Sequence, residues 1–154
     1  MMHLNPDFRD FIALLTKHKV RFLVVGGYAV ALHGFPRYTG DIDFFVKTSP
    51  ENAQALTATF TDFGFSELGV TVQDFLREDF VIEIGREPRK IQVLTGIDGV
   101  SFEECDMAKD TVELDGVEIP YISREHLLRN KAASGRPKDR IDIEALTRHR
   151  GSHK

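Results

Sequence analysis

The sequence predicts an α+β fold: a mixed β-sheet with flanking helices and a helical C-terminal portion. Three observations predict it. Phe22-Leu23-Val24-Val25 is a short continuous apolar run, as in a strand buried on both faces. Asp115-Gly116, between Val112-Glu113-Leu114 and Val117-Glu118-Ile119, is a strong hairpin signal. Helix caps and stops recur between the apolar runs and take over after residue 122.

Taken in order, Asn5-Pro6 reads as N-cap and first helical position, followed by Phe8, Phe11, Ile12 and Leu15 at helical spacing. The polar break Lys17-His18-Lys19 leads into the strand at 22–25. Gly26-Gly27 ends that strand, and Tyr28 to His33 reads as one or two helical turns closed by Gly34. Asp41 to Val46 is the next strand. Its period of two sets Asp41, Asp43 and Phe45 on one face and Ile42, Phe44 and Val46 on the other. Ser49-Pro50 opens a helix that presents Ala53, Leu56, Phe60 and Phe63 to the core and stops at Gly64. Phe80 to Ile84 and Ile91 to Leu94 read as strands around a Gly- and Pro-containing connection. Ser101 and Glu104 form a capping box. Ser123 caps a helix through Ala133, Gly135 ends it, and Pro137 starts another to about Arg148. One domain spanning 1–154 is expected, with a sheet core over 20–120 and the helices of 123–148 packed on it.

The composition bounds the function. The chain has 154 residues, 42% hydrophobic and 29% charged, so a core is expected and disorder is not. A net charge of −4 argues against a general polyanion binder. The charge is uneven, because Arg129 to Lys154 carries a local +5. Arg136, Lys138, Arg140, Arg148 and Arg150 form either a solvated face or a surface for an RNA backbone. The single cysteine, Cys105, excludes an intrachain disulfide and a Cys-cluster zinc site, and it reads as a plain thiol. No apolar run approaches a membrane span, and the polar start MMHLNPDFRD is not a signal peptide. A cytoplasmic protein is therefore expected.

Phe22 to Asp43 carries the chemistry. Gly26-Gly27 between a buried strand and a helix lets backbone N–H groups approach an anion, aided by the helix dipole. Asp41-Ile42-Asp43 sets two carboxylates about 7 Å apart on one strand face, from the ~3.3 Å rise per residue. Carboxylates so placed call for a cation, and hard oxygen ligands favour Mg²⁺ or Mn²⁺. Phosphates would complete its coordination.

This order of a strand, Gly-Gly, a short helix, then Asp-x-Asp on the next strand resembles the nucleotidyltransferase superfamily. Within it, the sequence is similar to the toxin components of AbiEii-type abortive-infection and toxin–antitoxin systems. His33-Gly34, Arg37 and Thr39 before Asp41 contribute to that likeness. So does Lys131-Ala-Ala-Ser-Gly-Arg136-Pro-Lys-Asp139-Arg-Ile-Asp142, and the likeness spans roughly residues 20–147. The resemblance implies a nucleotidyltransferase-like sheet and the transfer of a nucleoside monophosphate from an NTP to a hydroxyl of tRNA or a protein. It also implies a possible antitoxin partner. Asp41 and Asp43 are then the catalytic, metal-binding carboxylates. Gly26, Gly27, Arg37, Thr39, Lys131 and Asp139 are the nucleotide-binding candidates, Asp139 by orienting Lys131 or the nucleotide. Asp142 reads as structural, and His33 as a capping or packing residue.

The chain departs from the superfamily at one place. Catalytic members supply a third carboxylate from a later strand, and here Lys90-Ile91-Gln92-Val93-Leu94 puts an amide there. Gln92 carries no charge and is not a general base. Glu83, on the neighbouring predicted strand, replaces it only if the hairpin register brings both to one face. The other outcome is a catalytically weakened nucleotide- or partner-binding module.

Overall fold

The computed structural model describes residues 4–35, 40–86 and 89–148. The candidates Arg37 and Thr39, and Arg150 of the basic run, lie outside the described residues. The elements in chain order are α1 (Pro6–Lys17), β1 (Phe22–Val25), α2 (Gly26–Leu32), β2 (Ile42–Val46), α3 (Pro50–Asp62), α4 (Val72–Phe75), β3 (Val81–Arg86), β4 (Arg89–Leu94), α5 (Phe102–Met107), β5 (Asp110–Leu114), β6 (Val117–Tyr121), α6 (Arg124–Ser134) and α7 (Pro137–Arg148). The α+β class is as expected.

Local signals set most of the boundaries. The Asn5 side chain accepts from the Asp7 N–H, Ser49 from Asn52 and Ser123 from His126, each satisfying a donor that the helix start leaves open. The Ser101–Glu104 capping box forms in both directions. Gly135 ends α6 at φ +67°, a left-handed stop. One boundary differs. The helix after β1 begins at Gly26 rather than Tyr28, so strand passes into helix with no intervening loop.

The six strands form one mixed sheet in the order β3-β4-β2-β1-β6-β5. β2 is antiparallel to β1 and parallel to β4, β1 is parallel to β6, and the two outer pairs are antiparallel hairpins. Alternation along β1 and β2 divides the core between the two faces. Phe22, Val24, Ile42, Phe44 and Val46 pack with Phe8, Phe11, Ile12 and Leu15 of α1 and with Leu56 and Phe60 of α3. Leu23, Val25 and Phe45 pack on the other side with Ala29 and Val30 of α2, Phe102 and Cys105 of α5, Leu127 of α6 and Leu146 of α7. By the same alternation Asp43 shares the second face, beside the C-terminal helices. No helix among the described residues is long and apolar enough to cross a membrane.

Candidate functional site

Asp43 lies opposite Val25, the last residue of β1, so its carboxylate stands over the start of α2. Gly26 makes the approach possible. It adopts φ +70°, and a Cβ there would collide with the Asp43 carboxylate. The required glycine is therefore Gly26, and Gly27 is not in the left-handed region. The start of α2 has no side-chain cap, which leaves its first N–H groups without that acceptor.

Asp43 Oδ1 is buried and has no hydrogen-bond partner among the described residues. Burial pushes its pKa up to about 6, neighbouring Asp41 adds to the rise, and Lys138, Arg136 and Lys131 oppose it. Asp41 directly precedes β2, and its Oδ1 accepts the Lys90 backbone N–H at 3.1 Å. Among the described residues no group of three or more His, Cys, Asp or Glu could hold a metal ion. An orphaned, desolvated carboxylate beside a second acid nevertheless suits Mg²⁺, which characteristically takes one or two carboxylates and completes its shell with phosphates and water.

The register places a row of polar side chains beside Asp43. Asp43 pairs with Gln92 on β4, and Gln92 pairs with Glu83 on β3. The Gln92 amide donates to Glu83 Oε2 at 2.6 Å, and the Lys90 ammonium lies 3.5 Å from the same oxygen. Glu83 and Gln92 therefore share the face of Asp43.

The motif near the C-terminus forms a buried ion cluster. Lys131 is 3% exposed, Asp139 0% and Asp142 2%. The Lys131 ammonium lies 3.2 Å from Asp139 Oδ1 and 2.9 Å from Asp142 Oδ2. Arg136 donates through Nε to Asp139 Oδ2 at 2.9 Å. Burial acts to raise the Asp139 pKa, but hydrogen bonds from Arg136, Ser134 and Lys131 outweigh it and hold the acid well below the usual range. Lys131 is thus matched by two internal carboxylates, with Arg136 as the cation on the open side. The Asp142 expectation agrees with this packing. His33 donates from Nε2 to the Ile122 carbonyl at 2.9 Å and meets the Tyr121 ring edge-on, a packing histidine as expected. Cys105 is buried, and burial pushes its thiol up to about 11.

A cleft of about 500 Å³ opens beside Asp43 and Gln92, with Gly26, Asp79, Asp98 and Arg136 also in its wall. A second cleft of about 440 Å³ shares Asp79, Gly96 and Ile97 with it and adds Glu78 and Glu103. No lysine or arginine lines the second cleft among the described residues. Sequence reasoning missed Asp79, Asp98 and Arg136 as cleft residues. Asp79 sits in a turn at φ 54°, a conformation Asp tolerates better than most residues, and no sequence spacing marks it as a cleft residue.

The family profile of aminoglycoside-2''-adenylyltransferase matches residues 7–146. No curated protein matches the chain. Among solved structures, a Thermotoga maritima protein described as a nucleotidyltransferase superposes with a TM-score of 0.59 at 21% identity, covering 96% of this chain and 98% of its own. The lincosamide antibiotic adenylyltransferase LnuA, in its lincomycin-bound form, gives a TM-score of 0.59 at 18% identity, with 94% and 97% covered. An antigenic nucleotidyltransferase-like protein of Paracoccidioides brasiliensis gives 0.54 at 17% identity, with 91% and 74% covered. At these identities the structures bear on the fold, which they share.

Proposed function

The chain belongs to the aminoglycoside-2''-adenylyltransferase family, and we propose that it transfers a nucleoside monophosphate from an NTP to a hydroxyl of a small cationic acceptor. The observation that carries this reading is the buried Asp43 Oδ1, which has no hydrogen-bond partner among the described residues and belongs to a cleft that Arg136, Asp79 and Asp98 also line. Arg136 suits the triphosphate, because its guanidinium is held in place by Asp139 and stays open to the cleft. Asp41 and Asp43 would hold Mg²⁺, which, when bound, would neutralise charge at the α-phosphate. Gly26 lets the backbone close on Asp43, and Lys131, Asp139 and Asp142 hold the C-terminal helices against the cleft.

The acceptor side decides among hydroxyl donors. Asp79, Asp98, Glu78 and Glu103 face the two joined clefts. Such a lining repels the phosphates of tRNA and attracts an amine-bearing polyol, the class named for the family. The narrower likeness to AbiEii-type toxins, with an antitoxin partner, rests on the sequence motifs alone.

Incubating the protein with ATP, Mg²⁺ and, in separate reactions, an aminoglycoside, lincomycin, total tRNA or a protein acceptor tests the reading through pyrophosphate release. Release with the aminoglycoside, abolished by Asp43→Asn, is expected. Release with tRNA alone would refute the acceptor assignment, and no NTP binding under any condition would refute the reading altogether.

A further inference from the structure

Gln92 removes the acid that the sequence pattern leads one to expect on β4, yet the sheet puts a carboxylate one strand further out. Resting on the transfer reaction proposed above, we propose that Glu83 is the proton acceptor for the substrate hydroxyl, and that Gln92 positions it. Three observations support this assignment. The antiparallel register sets Glu83 directly opposite Gln92, and the parallel register sets Gln92 opposite Asp43. Glu83 and Asp43 are therefore two strand spacings apart, about 10 Å between Cα atoms. The Gln92 side chain stands between them on the same face, so the α-phosphate and the attacking oxygen would lie above it, with one acid on each side.

The second observation is the hydrogen bond itself. Only the NH₂ end of Gln92 can face a carboxylate oxygen, so the 2.6 Å contact fixes the amide as donor. The third is where the contacts fall. Gln92 and Lys90 both address Glu83 Oε2. Among the described residues no hydrogen bond is made to Oε1, which is left to receive a proton. The Glu83 side chain is 47% exposed, so it is open to an arriving hydroxyl.

The step balances without a further reactant. The acceptor O–H gives its proton to Glu83 Oε1 while its oxygen forms a bond to the α-phosphorus. The bond from that phosphorus to the bridging oxygen breaks, and pyrophosphate leaves with the electron pair. Glu83 then returns the proton to water.

Single-turnover transfer and ATP affinity, measured on the full chain with Mg²⁺ and the acceptor that releases pyrophosphate, test the assignment. Glu83→Gln is expected to bind ATP within about twofold of wild type and to transfer ~10²–10⁴-fold more slowly, the usual weight of a general base. Gln92→Asp is expected to bring no gain, because it sets a second carboxylate beside Glu83. Transfer by Glu83→Gln within about threefold of wild type would overturn the assignment, and so would a tenfold or greater gain from Gln92→Asp. If wild type binds ATP but transfers to none of the acceptors, Glu83 is not acting as a base and the chain is a binding module. If wild type binds no ATP, the proposed reaction itself falls, and this assignment with it.

Discussion

Removing the charge of Asp43 is expected to stabilise the metal-free protein while destroying its site. Burial, reinforced by Asp41, raises the Asp43 pKa from 3.8 to about 6. In the unfolded chain the group returns to its ordinary value, so between about pH 4 and pH 6 the folded state binds more protons than the unfolded one. Stability from this group therefore falls as pH rises through that window, and above it the full penalty applies. The rise corresponds to roughly 3 kcal/mol at about 1.36 kcal/mol per pKa unit. Solvent reaching the open cleft reduces this to an expected ~1–3 kcal/mol. Urea unfolding in EDTA, at pH 4.5 and pH 7.5, reads it directly. Asp43→Asn should be more stable than wild type by that amount at pH 7.5 and much closer to it at pH 4.5. Adding Mg²⁺ and ATP should reverse the order, because only wild type gains from binding. A variant no more stable than wild type at pH 7.5, or equally favoured at both pH values, would refute the reasoning.

Two further outcomes follow from the packing. Lys131→Met should cost ~3–5 kcal/mol in a urea titration, because it leaves Asp139 and Asp142 buried beside no ammonium. Gly26→Ala should lose ATP-dependent thermal stabilisation and cost at least ~1–2 kcal/mol, the left-handed backbone penalty. The displaced Asp43 carboxylate adds to that cost, and Gly27→Ala should cost less in the same melting experiment.

Elements whose signals are local were legible in the sequence. Asn5-Pro6, Ser49-Pro50, the Ser101–Glu104 box and Asp115-Gly116 each act within a few residues, and each marks its element. The Asp41-x-Asp43 alternation was legible for the same reason, since it depends only on the pleat. Long-range pairings were not. Nothing near Glu83 tells which β4 residue it meets, and only the observed register sets it against Gln92. Lys131 shows the same limit in another form. Its helix, REHLLRNKAAS, is largely polar and reads as a solvated face, and the lysine is internal because α7 brings Asp139 and Asp142 over it. The acids Asp79 and Asp98 reach the cleft from separate loops, a convergence without a sequence spacing.

The two motifs are best understood as one device. An ionised Asp43 without a partner costs stability, and the positive groups that oppose its raised pKa, Lys138, Arg136 and Lys131, come from α6, α7 and the connection between them. Lys131 acts from inside a closed ion cluster. Arg136 is tied to that cluster through Asp139 and turned to the cleft. The buried cluster thus fixes cations near the carboxylate without letting them close on it as direct ion pairs. A lysine free to reach Asp43 would neutralise it and fill the position that the proposed Mg²⁺ needs. The order of strengths matters here, because Asp139 and Asp142 already occupy the Lys131 ammonium at 3.2 and 2.9 Å. On the proposed reading, the rear motif holds cations near Asp43 while leaving its carboxylate for the metal, at a stability cost that metal and nucleotide would relieve on binding.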